Sequence, residues 1–382
     1  MIRVDLTGGR ELTEADIKRS GALPREVMDA AEAIVDDVRA NGDAAVRAYC
    51  EKFDGSCPTA FRVPDELLDA APSMVDEQFL SSLRLAHDQV RAFHEREVSQ
   101  SMFTTRADGT LLGVKVTPLP SVGIYVPGGR AQYPSTVLMN AVPAKVAGVR
   151  RIVMVTPPQR DGSLSAYTLA AAKVAGVDEV YAVGGAQAVA ALTYGAGFIP
   201  KVDKLVGPGN AFVATAKRMA YGELDIDMVA GPSEVLVIAD GSAQPKFVAA
   251  DLLSQAEHDK LASAVLLTDS MELARAVDAE IIRQTGYLSR SEIMECSLRD
   301  FGCAIVCENL DDCAALANEI APEHLEVCVD QPFDYLDRIR NAGSIFLGRN
   351  CPEALGDLLW PDPHHTLPTS GTARFSSPLS GG

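Results

Sequence analysis

From residue 112 onward, strand-like apolar runs alternate with alanine-rich helical runs, and this alternation restricts the fold more than any other feature of the chain. The order is SVGIYVP, STVLMNAVPAKVAGV, RRIVMVTPP, LSAYTLAAAKVAGV, DEVYAVGG and AQAVAALTYGA. A βαβαβ rhythm of this kind implies a parallel sheet with helices on its faces. A second series follows: EVLVIAD, a helix over 244–257, SAVLLTDS, a helix over 271–284, CAIVCEN, a helix over 311–319, then LEVCV and SIFLG. The fold class is therefore α/β, with two units joined near DMVAGPSE at 227–234. Ahead of them, residues 26–50 and 74–97 read as long amphipathic helices, with apolar residues at helical spacing. These first helices are expected to pack on the second unit and make it discontinuous. The expected division is an arm over 1–20, one unit of 21–120 with 234–368, a second over 121–233, and the start of a tail over 369–382.

The chain has 382 residues, enough for two domains, and a net charge of −18. That charge argues against nucleic acid or an anionic membrane as a partner. No apolar run approaches a membrane span, and MIRVDLTGGRELTEADIKR lacks the apolar stretch of a signal peptide, so the cytoplasm is expected. None of the eight cysteines forms a CxxC pair. Cys303 and Cys307 flank the run AIV and read as small buried hydrophobes rather than metal ligands.

Three glycine-bearing loops end strands of the first series: YVPGGR at 125–130, VGGAQA at 183–188 and VGPGNA at 206–211. Ligands of open α/β sheets collect at the carboxyl ends of strands, and amides freed by glycine beside a helix N-terminus suit a phosphate. Any one such loop can be a plain strand-to-helix turn; three of one type point to a site. Neither GxGxxG nor GxxxxGK[ST] occurs, so a dinucleotide would be held in a less usual way.

Acid–base and metal-ligand residue types gather later. In DLLSQAEHD, Gln255 and His258 stand three apart, on one face of a helical turn. Glu323 and His324 adjoin in APEHLEV; PEALGD ends in Asp357; HHTLPT holds His364 and His365. Taken singly, each has a plain reading: a surface helix pair, a helix start after proline, a turn aspartate. His87 and His94, seven apart, read as ordinary helix residues.

Together with GIYVPGGRAQYPSTVLMNAVPAKVAGV, GGAQAVAALTYG, VGPGNAFVATAKR, GPSEVLVIAD, NAGSIFLG and HTLPTSGTARFSS, these motifs resemble histidinol dehydrogenase, in order and over almost the whole chain. The resemblance implies two incomplete Rossmann-like domains with parallel sheets, plus small terminal segments, in a zinc-bearing homodimer. It implies oxidation of L-histidinol through an enzyme-held aldehyde to L-histidine, reducing two NAD. It makes 121–233 the NAD-binding unit and the discontinuous unit the one for substrate and metal. Gln255, His258 and Asp357 match zinc ligands, and Glu323 and His324 the acid–base pair. Ser233 and His365 match substrate contacts, as do His324 and the three zinc-ligand positions. Tyr125, Gln187 and Asn210 match NAD contacts. His364 stands where the family usually has Asn.

The assigned chemistry suits these residue types. An imidazole titrates near neutrality, so His324 can take the hydroxyl proton, and Glu323 can activate water for the aldehyde step. Relatives continue into a tail that supplies a fourth zinc ligand, a His, and a substrate-binding Glu. Here no His follows His365 and no acidic residue follows Asp362. Looser metal retention and a looser dimer are expected on that account. Two other readings stay open: a dehydrogenase of this family acting on another small alcohol, and a non-catalytic binding form.

Overall fold

The computed structural model describes residues 1–7, 10, 17, 24–54, 57–128, 132–358 and 367–380, without the side chains of 2, 3 and 356–358. Along the chain come β1 (Ile2–Asp5), α1 (Arg25–Asn41), α2 (Asp43–Phe53), α3 (Asp65–Ala70) and α4 (Glu77–His94). A hairpin follows, β2 (Met102–Thr105) and β3 (Leu111–Val114). The first α/β series is β4 (Ser121–Tyr125), α5 (Pro134–Val146), β5 (Arg151–Thr156), α6 (Ala166–Ala175), β6 (Glu179–Ala182), α7 (Gly185–Tyr194), β7 (Lys204–Val206), α8 (Ala211–Ala220) and β8 (Asp225–Ile226). The second begins with β9 (Glu234–Ala239), α9 (Pro245–Ala256), β10 (Ser263–Thr268), α10 (Met271–Thr285), α11 (Ser291–Phe301) and β11 (Gly302–Val306). It closes with α12 (Leu310–Ile320), β12 (His324–Cys328), β13 (Ser344–Leu347) and α13 (Glu353–Leu358).

Both series build parallel sheets of one design. The first runs β6-β5-β4-β7-β8 and the second β1-β11-β10-β9-β12-β13. In each, the first strand of the series is central, the next two go to one side and the last two to the other. The order thus reverses beside β4 and beside β9, the switch points where such sheets leave a crevice. Every position of β9 and β10 is buried. Strands covered on both faces read as unbroken apolar runs, which is why both series were visible in the sequence.

Contacts divide the chain into two compact units. One gathers the described residues of 23–229 with 379–380; the other gathers those of 1–22 with 230–358 and 367–378. This corrects the expected grouping of 21–120 with 234–368. Ile34 and Val38 of α1, and Val46 and Cys50 of α2, share a core with Val189 of α7 and Val213 of α8. Leu83 and Val90 of α4 pack with Leu138 and Val142 of α5 on the sheet's other face. An apolar stripe shows that a helix will be covered, not by which sheet. The arm expected over 1–20 begins with a sheet strand, since Ile2–Asp5 pairs parallel with Cys303–Val306. Of the stretch expected as a tail, Thr369 accepts the Gly231 N–H at 2.7 Å and so belongs to the second unit. The helix expected over 26–50 is two helices. Gly42 stands between them at φ 54°, a left-handed value at which glycine carries no Cβ penalty.

Cys303 and Cys307 are buried in the core that α12 covers, as small hydrophobes. His94 is wholly buried on α4, its Nδ1 2.6 Å from Glu97 Oε2. Among the described residues, no helix is long and apolar enough to cross a membrane.

Candidate active site

In the second unit, the candidate residues stand at the amino ends of the strands. Helix α12 ends at Ala321, a non-glycine residue held at φ 50°, and Pro322 follows. This strained turn delivers Glu323 and His324 to the start of β12. There β12 pairs in parallel with β9, His324 opposite Val235. The main chain of Glu234 therefore meets both residues. Its N–H donates to Glu323 Oε2 at 2.9 Å, and its carbonyl lies 2.9 Å from His324 Nδ1. A carbonyl only accepts, so Nδ1 carries a hydrogen, and in the neutral ring Nε2 holds the lone pair. Glu323 Oε2 is 3.6 Å from Nδ1, and Glu353 Oε1 is 3.9 Å from Nε2. His324 is 5% exposed, which shields its ring from bulk water.

Helix α9 runs back from the carboxyl end of β9, so its C-terminus lies at this same end of the sheet. Gln255 is buried in its last turn. His258 is exposed in the turn that follows, its N–H donating to the Gln255 carbonyl at 3.0 Å. The pair thus straddles the helix end rather than sharing one helical turn. Partial negative charge from the last carbonyls of a helix favours a cation there. Ser233 immediately precedes β9, and its carbonyl accepts from Ser263 N–H at 3.0 Å. Asp357 falls within α13, with its side chain outside the description; His364 and His365 lie outside the described residues.

Four further residues, set farther along β12 and on α9 and α13, went unnoticed in the sequence. Carboxyl oxygens of Asp251 and Glu326 and the Cys328 sulfur lie within 4.8 Å of one another. Glu326 Oε1 accepts the N–H of Glu353 at 2.9 Å. Burial pushes the Asp251 carboxyl up to about 6. Burial first, and Asp251 beside it second, raises Glu326 well above the usual carboxylate range. The available signal was Glu326 itself, an acid in the middle of a wholly buried strand.

In the first unit, Tyr125, Gln187 and Asn210 stand instead at the carboxyl ends of β4, β6 and β7. Tyr125 ends β4 and is buried; its hydroxyl accepts the Gly185 N–H at 3.0 Å. Burial pushes its phenol up to about 12. Gln187, in the first turn of α7, is 1% exposed, and its Oε1 has no hydrogen-bond partner among the described residues. Asn210 caps α8, its Oδ1 accepting from Phe212 N–H at 3.0 Å and Val213 N–H at 3.1 Å. Gly207 opens the third loop at φ 108°, and a Cβ there would come within 2.2 Å of the Tyr125 carbonyl oxygen. Beneath it lies a buried ion pair, Lys217 with Asp227. Lys217 Nζ also donates to the Gly207 carbonyl, and Asp227 accepts the Gly207 N–H, both at 2.8 Å. Gly129 and Arg130 of the first loop lie outside the described residues.

A family model described as histidinol dehydrogenase matches residues 17–381. The histidinol dehydrogenase of Bacillus subtilis is 52% identical over 365 residues, 95% of this chain and 85% of that protein. That of Heliobacterium mobile is 52% identical over 379 residues, 97% of this chain and 88% of that protein. The crystal structure of histidinol dehydrogenase from Elizabethkingia anophelis superposes with a TM-score of 0.93 at 35% identity, covering 100% of this chain and 88% of that one. The chain therefore belongs to the histidinol dehydrogenase family, NAD-dependent oxidoreductases of histidine biosynthesis.

Proposed function

We propose that this chain carries L-histidinol through an enzyme-held aldehyde to L-histidine, with two NAD as acceptors and zinc as its metal, as a cytoplasmic homodimer. The observation that carries the reading is the double grip of the Glu234 main chain, which leaves His324 Nε2 as the proton-accepting atom. His324 takes the hydroxyl proton in the first oxidation. Glu323 activates the water that adds to the aldehyde, and His324 serves again in the second.

The residues present fit both groups. Gln187 offers a buried amide oxygen without a partner among the described residues, and α7 and α8 point their N-termini at the same loops, which suits a pyrophosphate. Tyr125, Gln187 and Asn210 would hold NAD in the first unit. Gln255, His258 and Asp357 supply the oxygen and nitrogen donors that zinc accepts, beside a helix C-terminus that favours a cation. When bound, NAD supplies the hydride acceptor and zinc a Lewis acid that orients the substrate nitrogens. Ser233 and His365 complete the substrate contacts.

The test is NADH formed per L-histidinol consumed, with zinc and NAD supplied. Two NADH are expected, with activity lost on dialysis against a chelator and restored by zinc. One NADH with free aldehyde released would sink the two-step reading. None, with turnover of another small alcohol, would sink the substrate. Glu323→Gln should slow chiefly the aldehyde step.

A further inference from the structure

Glu326 lies on β12 two residues beyond His324, on the same face of the strand, and is wholly buried. Burying a carboxyl group among apolar strands is costly unless its oxygens are engaged. Oε1 accepts the N–H of Glu353, the first residue of α13, at 2.9 Å. Oε2 accepts no hydrogen bond among the described residues. The remaining polar neighbours are the Cys328 sulfur, on the same strand, and the Asp251 carboxyl group, on α9 one turn ahead of Gln255. One side chain thus touches all three elements that bear candidate ligands and the acid–base pair: α9 with Gln255, α13 with Asp357, and β12 with His324.

We propose that Glu326 is a positioning residue for the oxidation: its carboxyl group fixes α9 and the first turn of α13 against β12, and so sets the spacing of the groups those elements carry. The proposal rests on the roles assigned above to His324, Gln255 and Asp357. Contact with Asp251 is between two acids, a pairing that works when one hydrogen lies between them. A glutamine at 326 reproduces this tie, since its amide oxygen accepts from Glu353 and its NH₂ donates to Asp251. A leucine of similar size makes neither contact.

The experiment compares this chain with its Glu326→Gln and Glu326→Leu variants, each supplied with zinc and NAD. Three readouts are taken: L-histidinol turnover, zinc bound per chain, and amide exchange over 251–258 and 351–358. Glu326→Leu should lose about a hundredfold in kcat, the cost of a small misplacement of reacting groups, and exchange faster in both segments. Glu326→Gln should stay within about threefold of the parent and exchange as it does. If Glu326→Gln is as damaged as Glu326→Leu, or binds one zinc fewer than the parent, the acid itself is used and the proposal falls. Unchanged turnover and exchange in Glu326→Leu would also overturn it. Should the parent fail to oxidise L-histidinol, the functional reading fails instead. The exchange contrast between the two variants then still decides whether the tie exists.

Discussion

The two sheets share one strand order, yet their candidate residues gather at opposite ends. In the first unit, Tyr125 ends β4, and Gln187 and Asn210 follow β6 and β7, where α7 and α8 begin. In the second, Ser233 precedes β9, Glu323 and His324 stand at the start of β12, and Gln255 and His258 straddle the end of α9. A helix carries about half a positive charge at its start and half a negative charge at its end. One βαβ design therefore offers an anion-favouring rim and a cation-favouring rim. The first suits the phosphates of a dinucleotide. The second suits a metal ion and a cationic substrate. On the proposed assignment, the rule that ligands sit at carboxyl ends describes the first unit and not the second.

If the two rims work separately, changes at one should spare the other. The largest effect is expected from His324→Ala, with kcat about a thousandfold lower and NAD affinity within about twofold. A large loss of NAD affinity, read by NADH fluorescence titration, would break the separation. Next comes Lys217→Met, which strands the buried Asp227 carboxylate beneath the Gly207 loop. Denaturant unfolding should show a loss of about 3–5 kcal/mol, and little loss would mean that water or another group relieves Asp227. Third, Gly207→Ala must displace the loop from the Tyr125 carbonyl. NAD affinity should fall at least about tenfold, near 1.4 kcal/mol, with zinc content unchanged; intact NAD binding would remove this loop from the cofactor site.

The last test is a pH slope from the second unit. The Asp251 pKa is raised from 3.8 to about 6, so the folded chain holds that proton more tightly than the unfolded one. Its contribution to stability is full below pH 3.8 and is lost as pH rises through about 6. Between those values the parent should lose stability relative to Asp251→Asn. Equal unfolding midpoints for the two proteins at every pH in that window would show that the acid pair holds no extra proton.

The sheets were legible in the sequence because strands buried on both faces leave unbroken apolar runs. Gly42 was overlooked inside a stretch whose helical spacing continued on either side. Helix α11 went unread, although Met294 and Leu298 are spaced at one helical turn and buried. The partner of α1 and α4 was illegible in principle, since amphipathicity does not name the surface it meets. At the site, Gln255, His258, Glu323 and His324 stood out by residue type and motif. Glu234 did not, because its contribution comes from its main chain, which any residue but proline would supply equally. Asp251, Glu326 and Glu353 were hidden among ordinary helix and strand letters. Only the three-dimensional register brings them together.

That main-chain grip bears on how the enzyme tolerates change. An alanine scan reports what side chains do, and one passing through position 234 would leave both contacts to Glu323 and His324 in place. The hydrogen on His324 Nδ1 is fixed by the alignment of two strands, not by a neighbour that drift could replace. The lesion that would undo it is a shift of β12 along β9, of the kind made by inserting or deleting a residue before His324. Substitution-tolerant and length-intolerant is the mutational signature to look for in this stretch.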